Sequence, residues 1–103
     1  MKRGEVRWYT FKAPDKKRPV VILTRSSVIE YFGVVTVAPV TSTVRDIPSE
    51  VPLGKNDGMP REWAVNLDHI QTVSRARVGR LIAVLSPEKL VQVKKAIYFA
   101  LDL

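Results

Sequence analysis

The chain has 103 residues, 46% hydrophobic and 26% charged, with 17 Lys/Arg against 10 Asp/Glu, a formal net charge of +7 and no cysteine. That length fits a single domain over residues 1–103 with one modest core, and the missing cysteine excludes disulfides, a thiol nucleophile and a thiolate metal site. No apolar run nears the length of a membrane span, and Met1-Lys2-Arg3-Gly4-Glu5 lacks the core of a signal peptide, so a cytoplasmic protein without membrane contact is expected.

Glu5–Lys12 alternates Val6, Trp8 and Thr10 on one side with Arg7, Tyr9 and Phe11 on the other, which predicts a first strand. Ala13–Lys17 is a short loop. Arg18-Pro19 then opens the β-branched run Val20–Thr24, which reads as a strand buried on both faces. Val28–Phe32 suits a short turn of helix, and Gly33 ends it. Val34–Thr41 predicts a third strand that runs out into three hydroxyl residues, Thr41, Ser42 and Thr43. Pro39 cannot donate to a sheet ladder, so it marks an edge, a bulge or the end of regular pairing. Taken alone, this stretch is an ordinary strand followed by a polar loop.

Ser49–Leu53 predicts a shorter strand, and Gly54–Gly58 a turn rich in residues that tolerate positive φ. Glu62–Leu67 reads as a strand, extended or restarted by Ile70–Val73, and Gly79–Leu85 as the last one. Ser86-Pro87-Glu88 is a helix start, with an N-cap serine, proline at the first helical position and an acid at the positive dipole end. Leu90, Val93, Ile97 and Leu101 recur at helical spacing and predict the covering stripe, with Phe99 off it and free for a subunit contact. Short strands, tight turns and one terminal helix together predict a mostly β fold, a small antiparallel barrel capped by a helix.

The basic excess favours a polyanionic partner, with an acidic peptide as an alternative attracted by the same field. Its knots are Lys2–Arg18 and Arg75–Arg80. Lys16, Lys17, Arg75 and Arg77 are candidates for phosphate contacts, and Trp8, Tyr9 or Trp63 for stacking a splayed base. A two-histidine mechanism is excluded because His69 is the sole histidine. The aspartates are scattered, so no metal site and no cofactor are expected.

Four pieces now line up along the whole chain: Lys2-Arg3-Gly4-Glu5-Val6; Arg18-Pro19-Val20-Val21-Ile22-Leu23; Val37-Ala38-Pro39-Val40-Thr41-Ser42; and Val65–Thr72 followed by Leu85-Ser86-Pro87-Glu88. They resemble the MazF/PemK family of bacterial toxins. The resemblance implies an SH3-like barrel that forms a homodimer and cleaves single-stranded RNA, mRNA included, selectively and without metal. The products would be 2′,3′-cyclic phosphate and 5′-hydroxyl ends. It also implies a cognate antitoxin whose acidic C-terminal segment blocks the RNA groove.

The resemblance makes Arg18 and Thr41 the catalytic pair. The chemistry suits them: a guanidinium offers a planar fork to phosphate oxygens, and a hydroxyl orients one of them. Ser42 would assist, with Glu5 or Asp68 as base or orienting group. The loop before Arg18 is shorter than in many family members, so a base supplied by that loop is missing unless Asp15 or Glu5 replaces it. In a Kid/PemK-like branch an arginine two residues before the aspartate is catalytic. Asp68 matches that aspartate, but the arginine position is Asn66, which with His69 is expected to contact RNA instead. Two alternatives share the fold class: a CcdB-like toxin that targets gyrase without catalysis, and a non-catalytic RNA-binding module.

Overall fold

The computed structural model describes residues 1–11 and 16–103, and in it the β-branched runs pair into one antiparallel sheet of seven strands. These are β1 (Glu5–Thr10), β2 (Lys17–Ile22), β3 (Val34–Thr41), β4 (Glu50–Leu53), β5 (Trp63–Asn66), β6 (Gln71–Ser74) and β7 (Val78–Val84), followed by helix α1 (Pro87–Leu101). The order across the sheet is β4-β5-β3-β2-β1-β7, with β6 also paired to β3. Short, strongly twisted strands curl such a sheet into a half-barrel. No helix of the described residues is long and apolar enough to cross a membrane.

The expected mostly β fold with a C-terminal helix is what forms, and β3 has the predicted limits. Other boundaries moved. β2 begins at Lys17, three residues before the β-branched run, because Lys17, Arg18 and Pro19 already pair with Thr10, Tyr9 and Trp8 of β1. Arg18 is therefore a strand residue and not part of a loop edge. The end predicted for β1 at Lys12 lies outside the described residues. The basic segment before β7 is a 3₁₀ turn at Arg75–Arg77.

β5 and β6 are one interrupted strand along the same edge of β3. Between the pairs Val40↔Val65 and Val37↔Gln71, β3 retreats three residues while the opposite chain advances six. Three residues are thus looped out, and they are the 3₁₀ turn Leu67–His69. Pro39 lies opposite this turn. Leu23 N–H donates to the Thr36 carbonyl at 2.9 Å, so the Thr36 backbone faces β2 and, by alternation, the Pro39 nitrogen faces the β5–β6 edge. There the ladder is broken and no N–H is needed, so proline costs little. Pairing is not released at Pro39, as its sequence context suggests; it passes from β6 to β5.

Two apolar clusters flank the sheet. Val6, Val21, Ala38, Val40, Val65, Leu67 and their neighbours meet Val93 and Ala96 of α1 on one side. Tyr9, Val20, Ile22, Val35 and Val37 pack on the other, with Ile29 from the 3₁₀ turn Ser26–Tyr31. The continuous run in β2 serves both clusters, Val21 in one and Val20 and Ile22 in the other, as expected of a strand buried on both faces. Each such side chain contributes roughly 1.5–3 kcal/mol relative to exposure.

Helix α1 starts as predicted: Ser86 Oγ accepts from the Lys89 N–H at 3.1 Å, with Pro87 in the first turn. Its buried face is Val93 and Ala96, with Leu90, Ile97 and Ala100 half-buried. Leu101, expected on that stripe, is 56% exposed in the last turn, next to the αL cap at Asp102. Gly4 fastens the helix-side end of the sheet. Its N–H donates to Ile22 O at 2.8 Å and its carbonyl accepts from Leu85 N at 2.9 Å, with φ of +91°, a conformation costly for other residues.

Candidate active site

Alternation decides which side chains share a face. Arg18 precedes Val20 by two residues, and Thr41 follows Pro39 by two, so both project on the face of the second apolar cluster. β2 and β3 pair as Val20↔Pro39, Val21↔Ala38 and Ile22↔Val37, and the same register carried two residues on sets Arg18 level with Thr41. A pocket of about 300 Å³ opens there, at the end of that cluster. Phe11, Arg18, Pro39, Val40, Thr41 and Thr43 line one part of it, and Arg45, Glu50, Asn66, His69 and Gln71 the other.

Arg18 is exposed, and among the described residues it forms no salt bridge. Its guanidinium is available to an anion. The Thr43 N–H donates to Thr41 Oγ1 at 3.1 Å. That bond occupies an acceptor site and leaves the Thr41 hydroxyl proton free to be donated into the pocket.

The looped-out turn supplies the facing wall. Asn66 is buried, and its Oδ1 accepts from the Asp68 N–H at 3.0 Å. That fixes the amide's orientation, so Nδ2 is the donor toward His69 Nδ1 at 3.3 Å. Nδ1 is then an acceptor, and the ring proton of the neutral imidazole sits on Nε2.

Glu50 is the only carboxylate among the described residues that line the pocket. It is 8% exposed, and Oε1 accepts from the Arg45 N–H at 2.9 Å. Oε2 is buried and has no hydrogen-bond partner among the described residues. Among its described lining residues two arginines stand against one carboxylate, a net positive balance.

Arg18, Thr41, Asn66 and His69 are the predicted site residues that meet here; the others stand elsewhere. Ser42 is exposed and adjacent to Thr41 but does not line the pocket. Glu5 is also outside it, with Oε1 accepting from Arg7 Nε at 2.8 Å and from the Lys2 N–H at 3.0 Å. Burial pushes the Glu5 carboxyl up, but the Arg7 and Lys2 hydrogen bonds and the nearby positive charges outweigh it, and the net shift is below the ordinary value. Asp68 is tied to the Ser49 hydroxyl, which donates to Oδ2 at 2.6 Å. Asp15, the other candidate base, lies outside the described residues.

Lys17 and Trp8 line a separate cleft with Thr10, Gly79 and Arg80. Lys16 is exposed, and its carbonyl accepts from the Phe11 N–H at 2.9 Å. Arg75 pairs with Glu30 at 3.1 Å beside Met1 and Arg7, and Arg77 is exposed in the turn before β7. Tyr9 is 5% exposed and packs edge-on against Phe11, with ring centroids 4.6 Å apart, so it is core and not a stacking platform. Trp63 is half-buried, with Arg61 over its ring at 5.5 Å.

Phe11, Arg45, Glu50 and Gln71 were not singled out from the sequence. Only Glu50 leaves a local trace, as a charged residue inside a short apolar strand.

The profile of the PemK-like, MazF-like toxin of type II toxin–antitoxin systems matches residues 2–101. Endoribonuclease MazF3 of Mycobacterium tuberculosis is 40% identical over 89 residues, 86% of each chain. The structure of Mycobacterium tuberculosis toxin MazF-mt6 superposes with a TM-score of 0.89 over 96% of this chain and 97% of that one, at 36% identity. An endoribonuclease in complex with its cognate antitoxin, from a mycobacterial species, shares the fold at 24% identity, with a TM-score of 0.87 over 100% of this chain and 96% of that one. With a profile that spans nearly all of its length and a relative this similar, the chain belongs to the PemK-like, MazF-like toxin family of type II toxin–antitoxin systems.

Proposed function

We propose that the chain is an endoribonuclease toxin that cuts single-stranded RNA at the Arg18–Thr41 pocket. The observation that supports this most is that one strand start and one strand end bring a free guanidinium and a free hydroxyl donor to the same cavity. The relatives' naming as endoribonucleases points the same way.

A ribose 2′-hydroxyl attacks the adjacent phosphorus and gives its proton to water, and the P–O5′ bond breaks as the 5′-oxygen takes up a proton from water. The products are a 2′,3′-cyclic phosphate and a 5′-hydroxyl. Arg18 stabilises the charge that builds on the non-bridging oxygens, and Thr41 donates to one of them and fixes its orientation. His69 Nε2–H is a further donor for RNA. Because a guanidinium provides the charge stabilisation, the reaction requires no metal ion.

Two partners complete the reading. The family's place in toxin–antitoxin systems, and a fold neighbour solved with its cognate antitoxin, support an antitoxin that neutralises this chain. An acidic segment entering the same positive pocket accounts for inhibition by competition with RNA. The active form is a homodimer. Long single-stranded RNA incubated with the protein in excess chelator tests the reading, with both new ends identified chemically. Cyclic phosphate and 5′-hydroxyl ends are expected. Intact RNA at high concentrations of folded protein would reject it.

A further inference from the structure

Glu50 poses a question that phosphate chemistry does not answer. A carboxylate repels phosphate, yet this one lines the pocket that holds Arg18 and Thr41. It is more than nine-tenths buried, and among the described residues only one of its oxygens is partnered, by the Arg45 N–H. Among the described residues no arginine, lysine or histidine forms a salt bridge with it. A dry acceptor without a donor is costly, and such groups call for a specific partner. RNA brings two kinds of neutral donor to a pocket, the ribose 2′-hydroxyl, which in this reading is spent as the nucleophile, and the N–H groups of bases, whose Watson–Crick edges a single strand presents.

We propose that Glu50 is a specificity-determining residue whose Oε2 accepts a hydrogen bond from the exocyclic amino group of an adenine or cytosine beside the scissile phosphate. The inference rests on the ribonuclease reading of this pocket. Adenine and cytosine place an amino group where guanine and uracil place a carbonyl oxygen, and a carbonyl facing the carboxylate brings two acceptors together. Guanine's paired N1–H and N2–H donors match a carboxylate with both oxygens open, but here Oε1 already serves Arg45. Because Oε2 is shielded from water, a mismatched base leaves it unpaired, and discrimination is stronger than at a wet site. Exposed side chains of the 42–48 connection must shift aside to admit the base edge, while the Arg45 N–H stays on Oε1.

The test maps cleavage of single-stranded RNAs in which each nucleotide around the cut is varied in turn. At one position, wild-type protein should cut adenine or cytosine about 10-fold or more faster than guanine or uracil. Glu50→Gln keeps an acceptor for the Arg45 N–H and places an amide donor at Oε2, so the preference at that position should level or reverse toward guanine and uracil. A purely structural Glu50 would lower all rates together and leave the base profile unchanged.

A second arm leaves the protein untouched. Purine riboside in place of adenine, or pyrimidin-2-one in place of cytosine, removes only the amino group and should reproduce the loss. This arm decides alone if Glu50→Gln fails to fold. An unchanged profile in folded Glu50→Gln, or analogues cut at the native rate, would overturn the proposal and make an ordered water the partner of Oε2. A wild-type preference for guanine or uracil at every position overturns it too. If wild-type protein neither cuts nor binds any RNA in the set, the ribonuclease reading itself fails and this inference with it. Cleavage that ignores the amino group defeats the inference alone.

Discussion

Arg18→Ala separates chemistry from folding more cleanly than any other substitution in the pocket. Arg18 is exposed, and among the described residues it has no salt bridge to lose. Its backbone stays in the β1–β2 ladder opposite Tyr9 whatever the side chain. The expected stability change is that of an ordinary surface position, within about 0.5 kcal/mol. For a domain this size that shifts Tm by roughly 2–4 °C. The expected change in cleavage is much larger, because the side chain acts on charge that develops only in the transition state. Losing one such donor costs about 10²–10³ in rate. Arg18→Lys keeps the charge but not the planar fork, and should fall between wild type and alanine. Thermal melts and single-turnover cleavage of one defined oligonucleotide measure both quantities on the same preparations. Alanine protein that melts normally and cuts within a few-fold of wild type would remove Arg18 from the mechanism. A large loss of Tm would show that the side chain is structural after all.

Thr41→Ala should lose about 10²–10³ in rate with little change in melting, while Thr41→Ser keeps the donor and most of the activity; equal loss in both variants would assign the effect to the methyl group and the packing. Ser86→Ala removes the N-cap bond to Lys89 and should cost about 1 kcal/mol, or roughly 4–8 °C in Tm, with cleavage per folded molecule unchanged. Glu5 titrates below the ordinary carboxylate value of 4.5 in the folded chain, so the stability it contributes is present above that value and is lost as pH falls through the lowered one. Glu5→Gln should therefore melt lower than wild type at neutral pH and converge with it in acid; parallel melting curves at every pH would show that the Arg7 and Lys2 contacts carry no net charge effect.

The apolar framework was legible because burial leaves a periodic trace. Val20–Ile22 had to be buried on both faces, and it divides between two clusters. Ser86-Pro87-Glu88 had to start a helix. The limit of β2 was not legible, since Lys17 and Arg18 enter the strand through their β1 partners and not through their own propensity. Leu101 has the right angular position on the helix but lies in its last turn, and angle alone does not show where a helix stops being covered.

In the pocket, Arg18 and Thr41 were named from the resemblance. Their shared face then follows from two-residue alternation. Asp68 is expected from its match to the branch aspartate and Glu5 as a substitute base, and neither reason reveals that Ser49 and Arg7 already engage those carboxylates. Glu50, Arg45 and Gln71 come from separate strands and connections, and only tertiary pairing brings them to one cavity.

Pro39 ties these levels together. Seen locally it breaks a ladder; seen in the sheet it occupies the position where β3 changes partner and the Leu67–His69 turn is looped out. A regular strand there would have continued the β5–β6 edge past Pro39 without a gap. The three extra residues swing Asn66 and His69 into the pocket wall, while the paired residues on either side keep Thr41 and Gln71 rigidly placed. The cavity is thus a product of one register change, and its donors sit on strands whose positions the two apolar clusters fix. A site built this way holds its geometry without an ordering step when RNA arrives. Only exposed side chains of the 42–48 connection, whose Arg45 N–H holds Glu50 Oε1, have to move, and that confines adaptation to the part of the pocket proposed to read the base.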